Sequence, residues 1–165
     1  MEKLFVIKIG GNVIDNADAL KQFLSSFASS NTKKILVHGG GKIATKIGDQ
    51  LGIESKYVNG RRITDAETID LVTMVYGGLV NKKIVAQLQG VGCNAIGLTG
   101  ADANIIPATK RAVKASPLGG GLAGAVDYGF VGDIKTEDIN AKLLDVLLQQ
   151  NITPVIAPLT HDGKG

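Results

Sequence analysis

At 165 residues the chain fits one compact domain with room for a real core. Hydrophobic residues make up 44% and aromatics only 4%, with no Trp, so the core must be built from aliphatic side chains, Ala and Gly. A net charge of +3 with no dense Lys/Arg run argues against nucleic acid, the single Cys93 excludes an internal disulfide or a cysteine metal cluster, and no apolar stretch approaches the ~18–20 residues of a membrane span.

Met1-Glu2-Lys3 is followed by an apolar run too short for a signal peptide, so a reducing cytoplasm is the expected compartment. That run, Leu4-Phe5-Val6-Ile7-Lys8-Ile9, reads as a buried first strand stopped by Gly10-Gly11. A helix capped by Asp15 or Asn16 follows, with Leu20, Phe23, Leu24 and Phe27 at helical spacing. Lys34-Ile35-Leu36-Val37 is a second buried strand running into His38-Gly39-Gly40-Gly41, and another helix extends from about Lys42 to Gly52.

Next comes a loop containing Asn59-Gly60-Arg61-Arg62. Thr64-Asp65-Ala66-Glu67 has the pattern of a capping box, in which the Thr hydroxyl and the Glu carboxylate satisfy each other's free backbone N–H groups. It opens a long helix carrying Ile69, Val72, Val75, Leu79, Val80, Ile84 and Leu88, with Gly77-Gly78 in its middle either weakening it or allowing close packing. Asn94 to Thr99 is a third strand.

Between Ile105 and Lys135 short β-like pieces alternate with Gly119, Gly120, Gly121, Gly124, Gly129 and Gly132, which predicts a hairpin or small accessory sheet. Thr136 is expected to cap an amphipathic helix through Ile139, Leu143, Leu144, Leu147 and Leu148, and Pro154 to Pro158 is the last strand. Continuous apolar strands alternating with helices predict an α/β fold: a three-layer αβα sandwich on a mainly parallel open sheet, with a β-hairpin insert.

Gly10-Gly11 and Gly39-Gly40-Gly41 both sit at the carboxyl ends of buried strands, where ligands bind in open α/β sheets. Backbone N–H groups there, with the positive end of a following helix, can hold a phosphate or carboxylate without a charged side chain. The competing reading is that these glycines only make tight turns. Lys8, two residues before Gly10 in an apolar strand, would be costly to bury unpaired, so an anionic partner is one reading and a sheet-edge lysine reaching solvent the other. Beside a phosphate cradle it could offset charge on a transferring phosphoryl group. Either Arg61 or Arg62 could clamp a carboxylate with its forked donors, or the two could be a solvated pair.

Other motifs fail. Gly119-Gly120-Gly121-Leu122-Ala123-Gly124 fits G-x-G-x-x-G, but Pro117 precedes it and a β-like segment follows, which is the wrong context for a dinucleotide turn. Gly41-Lys42 lacks the rest of a Walker loop, and the His-Gly-Gly-Gly run has no G-x-S-x-G to serve. His38 and His161 lack metal-binding partners, and Cys93 reads as core.

Taken together, Lys8-Ile9-Gly10-Gly11-Asn12, Val37-His38-Gly39-Gly40-Gly41 and Asn59-Gly60-Arg61-Arg62-Ile63-Thr64 resemble the amino acid kinase superfamily, and within it the acetylglutamate kinases of the arginine pathway. Val80-Asn81-Lys82-Lys83, Ile96 to Asp102 and Gly129 to Ile134 extend the likeness along the chain. The resemblance implies that Lys8 contacts the transferring phosphoryl group, that Gly10 and Gly11 line the phosphate end of ATP, that Gly40 and Gly41 hold the substrate carboxylate or phosphoryl group, and that Arg62 grips the α-carboxylate of an N-acylated glutamate. It further implies ATP with Mg2+, attack by the γ-carboxylate of N-acetyl-L-glutamate or another N-acyl-glutamate on the γ-phosphate, and no general base. Residues 1–165 then correspond to the acyl-amino-acid-binding lobe, without the nucleotide-binding lobe of such kinases, and are expected to be inactive alone. The absence of an extra amino-terminal helix points to a homodimer, with the helix from Thr64 at the interface. The alternatives are glutamate 5-kinase, aspartokinase, carbamate kinase or UMP kinase types, or a catalytically silent anion-binding domain.

Overall fold

A computed structural model describes residues 3–58, 60–113 and 126–165. The central sheet has four parallel strands: β1 (Leu4–Ile9), β2 (Lys33–His38), β5 (Ala95–Leu98) and β8 (Thr153–Ile156), in the order β1-β2-β8-β5. Helices α1 (Gly11–Ile14) and α2 (Ala17–Ser29) join β1 to β2, and α3 (Gly41–Leu51) follows β2. Asn16 caps α2 by accepting hydrogen bonds from the amides of Asp18 and Ala19, as one of the two expected caps.

One face of the sheet carries the main core. Ile9, Leu36 and Val155 pack there against Leu20, Leu24 and Phe27 of α2 and against the helices described next. The other face is covered by α6 (Ala141–Gln149), where Ile35, Ile156 and Leu148 meet. Cys93 is buried in the main core, as its apolar neighbourhood suggested.

Strand β1 is not the buried strand its composition implied. Among the described residues it is an edge strand with a single neighbour, and Leu4, Phe5 and Val6 are exposed. Side chains alternate along a strand, and the pairing of Val6 with Ile35 and Lys8 with Val37 puts Leu4, Val6 and Lys8 on the α6 side of the sheet. Helix α6 packs mainly on β8.

The long amphipathic segment forms one helical run of changing pitch: α4 (Ala66–Val72), a π-helical stretch Thr73–Val80, and α5 (Asn81–Gly90). Gly77 lies in the π stretch, where an added Cβ would touch Leu159 and Thr99 at 3.4 Å each, so close packing is what that glycine permits. The helix is capped one residue later than the sequence suggested. Asp65, not Thr64, accepts from the amide of Thr68. Thr64 instead uses its backbone to bridge Gly129, donating to Tyr128 O and accepting from Phe130 N.

That bridge anchors the accessory sheet, in which β6 (Thr109–Lys110) pairs antiparallel with β7 (Gly132–Asp133). Gly129 has φ +74° and an added Cβ would lie 2.1 Å from Thr64 O, so only glycine fits. The expected glycines 119–121 and 124, and Pro117, lie outside the described residues. Thr136 does not cap α6. Residues Thr136–Asp138 form a 3-10 turn, and the cap is Asn140, whose side chain accepts from Leu143 N. No helix among the described residues is long and apolar enough to cross a membrane.

Candidate active site at the carboxyl ends of β1 and β2

Because β1 and β2 are parallel neighbours in register, with Ile9 opposite His38, their two glycine turns leave the sheet side by side. The amide of Gly39 donates to Ile9 O at 3.1 Å, and Lys42 Nζ reaches across to Asn12 Oδ1 at 3.3 Å. Lys42 also lies 3.8 Å from Asp15, an exposed pair of little energetic weight. The turn after β2 leads straight into α3, whose first amides have no partner within the helix and whose dipole places partial positive charge at that point.

Gly40 is buried because Tyr76, from the π-helical stretch, lies against it. An added Cβ at Gly40 would meet the Tyr76 ring at 2.9 Å, and one at Gly41 would lie 4.0 Å from the Tyr76 hydroxyl. Burial pushes the Tyr76 phenol above its usual value, an effect the charge of Arg62 partly offsets. The phenol therefore stays protonated and available as a donor.

Arg62 approaches the same turn from a two-stranded hairpin, β3 (Tyr57–Val58) and β4 (Arg61–Arg62), in which Tyr57 is paired with Arg62. Gly60 supplies the positive φ of +72° in the turn, while Asn59 lies outside the described residues. The guanidinium sits over the Tyr57 ring at 5.1 Å. Its Nη2 donates to Gly41 O at 3.1 Å and to Thr45 Oγ1 at 2.7 Å, and its Nη1 donates to Ser55 Oγ. Arg61 is exposed on the opposite face of the strand. The structure thus separates the two arginines: Arg62 belongs to the glycine turn and Arg61 faces solvent.

Lys8 is exposed, so the burial cost considered from the sequence does not arise. Its ammonium nevertheless lies beside the first turn, 3.9 Å from where a Gly10 Cβ would stand. Gly11 comes close to Asp15, whose Oδ2 would be 3.3 Å from an added Cβ. Lys8 with Gly10 and Gly11 on one side, and Gly40, Gly41 and Arg62 on the other, therefore border one stretch of the sheet's carboxyl edge.

Under the second turn lies a buried polar pair. His38 and Asn81 are each 1% exposed. Burial holds the His38 imidazole below its ordinary pKa near 6.5, against a raising contribution from its hydrogen bond to Gly39. Below pH 6.5 the unfolded chain takes up a proton there that the folded chain resists, so stability is full above that pH and falls as pH drops toward the depressed folded value. Urea midpoints are expected to fall between pH 7.5 and 5.5, with a shallower fall in His38→Asn; equal falls in both proteins would show that another group is responsible.

The model of the amino acid kinase family matches residues 3–165. The chain belongs to that family. Among curated relatives, the acetylglutamate kinase of Cytophaga hutchinsonii is 60% identical over all of this chain and 58% of its own length. The acetylglutamate kinase of Parabacteroides distasonis is 58% identical over all of this chain and 60% of its own length. The chain thus spans about three-fifths of the relatives it matches. A Streptococcus mutans crystal structure superposes with a TM-score of 0.71 at 23% identity, covering 93% of this chain and 57% of that one, which shows the fold.

Sequence reasoning missed Tyr76, Tyr57 and Thr45. Tyr57 was within reach, because Asn-Gly between short strands signals a two-residue hairpin that pairs Tyr57 with Arg62. Nothing in the spacing pointed to Tyr76, which reaches Gly40 only through the packing of the helical run.

Proposed function

We propose that residues 1–165 form the acyl-amino-acid-binding lobe of a kinase that phosphorylates the γ-carboxylate of N-acetyl-L-glutamate in arginine biosynthesis, with the nucleotide lobe outside these residues. The observation that carries this reading is the seating of Arg62 on the amino end of α3 at Gly41, beside the turn that Lys8 borders. The names of the relatives at 58–60% identity support the substrate.

In this reading the amides at Gly40 and Gly41 receive a carboxylate or phosphoryl oxygen, and Gly10 and Gly11 admit the phosphates of ATP at close range. A γ-carboxylate oxygen attacks the γ-phosphorus, the bond to the bridging oxygen breaks, and ADP leaves with that electron pair. An ionised carboxylate has no proton to lose, so the chain needs to position and stabilise charge rather than supply a base. Among the described residues no three acidic, His or Cys side chains cluster as a metal site. Magnesium, if brought in on the nucleotide phosphates, would neutralise part of their charge and would need few ligands from this chain.

Both Nη2 hydrogens of Arg62 are engaged by Gly41 O and Thr45 Oγ1, and every bidentate fork of a guanidinium uses that nitrogen. The α-carboxylate therefore binds by displacing the Thr45 hydroxyl, which keeps its bond to Gly41 O. Arg62→Lys is expected to raise KM for N-acetylglutamate about tenfold or more, because a point charge cannot replace the fork, with KM for ATP little changed. An unchanged KM for the amino acid would remove Arg62 from substrate recognition.

The function itself is tested by trapping the acyl phosphate with hydroxylamine, using ATP, Mg2+ and N-acetylglutamate, on this 165-residue chain and on a longer polypeptide. Activity only in the longer one is expected, and equal activity in both would overturn the lobe assignment. The same polypeptide is proposed to be a cytoplasmic homodimer joined through the helical run, on which Met74 and Leu79 are exposed. A monomer by light scattering would reject that.

A further inference from the structure

The buried pair beneath the second glycine turn has only one consistent set of protons. Val155 O is a main-chain carbonyl in β8 and can only accept. Asn81 Nδ2 lies 3.0 Å from it, which fixes the NH2 of the amide on that side. The same nitrogen is 3.0 Å from His38 Nε2. An amide NH2 can only donate, so Nε2 must be bare. A neutral imidazole carries one N–H, and it is therefore on Nδ1, 2.8 Å from Gly39 O. Flipping the amide to reverse this would set Asn81 Oδ1 against Val155 O. As it stands, Oδ1 is buried without a hydrogen-bond partner among the described residues, facing Gly97.

The carbonyl of Gly39 and the N–H of Gly40 belong to one planar trans peptide. Holding the carbonyl oxygen on His38 therefore aims the Gly40 N–H the opposite way. The preceding peptide is held too, since Gly39 N donates to Ile9 O. We propose that Asn81 and His38 are positioning residues: a relay from Val155 O through the Asn81 amide and the His38 imidazole fixes the Gly39–Gly40 peptide, so that the Gly40 N–H is pre-aimed at the oxygen it stabilises. This deepens the kinase reading above and rests on it for the identity of that oxygen. Pre-aimed donors stabilise developing charge without reorganising during reaction, and a donor held off its line loses most of that effect. Neither residue touches substrate. A purely structural pair would need the same tautomer, so the tautomer tests the relay itself and the kinetics of the variants test positioning.

The first measurement is independent of activity. Two-bond 1H–15N correlation spectra of the 15N-histidine-labelled protein at pH 7.5, with His38 assigned by its loss in His38→Asn, report which ring nitrogen carries the proton. The relay requires Nδ1–H for His38, opposite to the tautomer histidine favours in water. Finding Nε2–H overturns it. The second measurement is kinetic, in the intact protein. His38→Leu removes the donor to Gly39 O, whereas His38→Asn places an amide nitrogen where Nδ1 stood. His38→Leu is expected to lower kcat about 10- to 100-fold with KM for ATP little changed, and His38→Asn is expected to recover at least tenfold of a hundredfold loss. Equal kcat in the two folded variants overturns the positioning role. A wild-type protein that forms no acyl phosphate refutes the kinase reading instead, and the tautomer then decides the relay alone.

Discussion

Lys8→Met is expected to lower kcat for acyl-phosphate formation by about 10²–10³-fold, the range for removing one preorganised stabiliser of transition-state charge. The ammonium stands at the carboxyl end of the edge strand, beside Gly10, and among the described residues no carboxylate pairs with it. Its charge is thus free to meet the phosphoryl group as negative charge spreads over the equatorial oxygens. The exposure of Lys8 makes this experiment clean. An exposed side chain away from caps and packing contacts changes stability by about ±0.5 kcal/mol at most. A large loss of kcat with an unchanged unfolding midpoint therefore isolates chemistry from folding. KM for N-acetylglutamate should stay within a fewfold, since Arg62 and α3 hold that substrate. If Lys8→Met retains kcat within threefold, the lysine is the solvated edge residue that composition also allowed, and the phosphoryl group is stabilised elsewhere.

The sheet was legible because parallel strands carry a strong signal: Ile35-Leu36-Val37 runs through His38 into glycines, and Val155-Ile156-Ala157 is an unbroken apolar run ended by Pro158. The same signal misled for β1. Leu4, Phe5 and Val6 are as apolar as β2, but edge or centre is decided by strand order, and composition does not encode order. Caps were misplaced by one to four residues at Thr64 and Thr136 for a related reason. Thr64-Asp65 and Thr136-Glu137-Asp138-Ile139-Asn140 each offer several side chains able to cap, and the choice at Thr64 follows its backbone bridge to Gly129, a contact between distant segments. At the candidate site the glycine turns could be placed because backbone anion cradles need glycine and sit at strand ends, whereas Arg61 and Arg62 are told apart only by the hairpin that pairs Arg62 with Tyr57. His38 reads in the sequence only as a metal ligand or as the head of an oxyanion-type His-Gly-Gly-Gly turn, and neither fits. Its partners, Asn81 on a helix and the Val155 carbonyl on the last strand, are 43 and 74 positions apart in the pairs they form, so no local pattern joins them.

Gly97→Ala tests that same buried arrangement from its far side and is expected to cost about 1–3 kcal/mol of stability. Gly97 lies in β5 opposite Val155, under α5. An added Cβ would stand 1.9 Å from Asn81 Oδ1 and 2.9 Å from its Cγ, well inside contact distance. Lys82 Nζ, at 2.8 Å, is the far end of a long side chain and can swing aside at the cost of the exposed hydrogen bond it donates to Gly97 O. Asn81 cannot, because its Nδ2 is held between Val155 O and His38. Either the core overpacks, at about 1–3 kcal/mol, or the amide leaves and two buried acceptors lose their donor, at about 1–3 kcal/mol each. Typical domains have only about 5–15 kcal/mol in total, so the variant should show a much lower urea midpoint. The decisive comparison adds Asn81→Ala. Removing the amide makes room for the methyl, so the double variant should be less destabilised than the sum of the two single ones by about 1–3 kcal/mol, the coupling expected of residues in contact. Additive losses would mean that Gly97 is required by the strand itself. A Gly97→Ala protein within 1 kcal/mol of wild type would mean that Asn81 is free to move, and the relay that orients Gly40 would lose the rigid support it depends on.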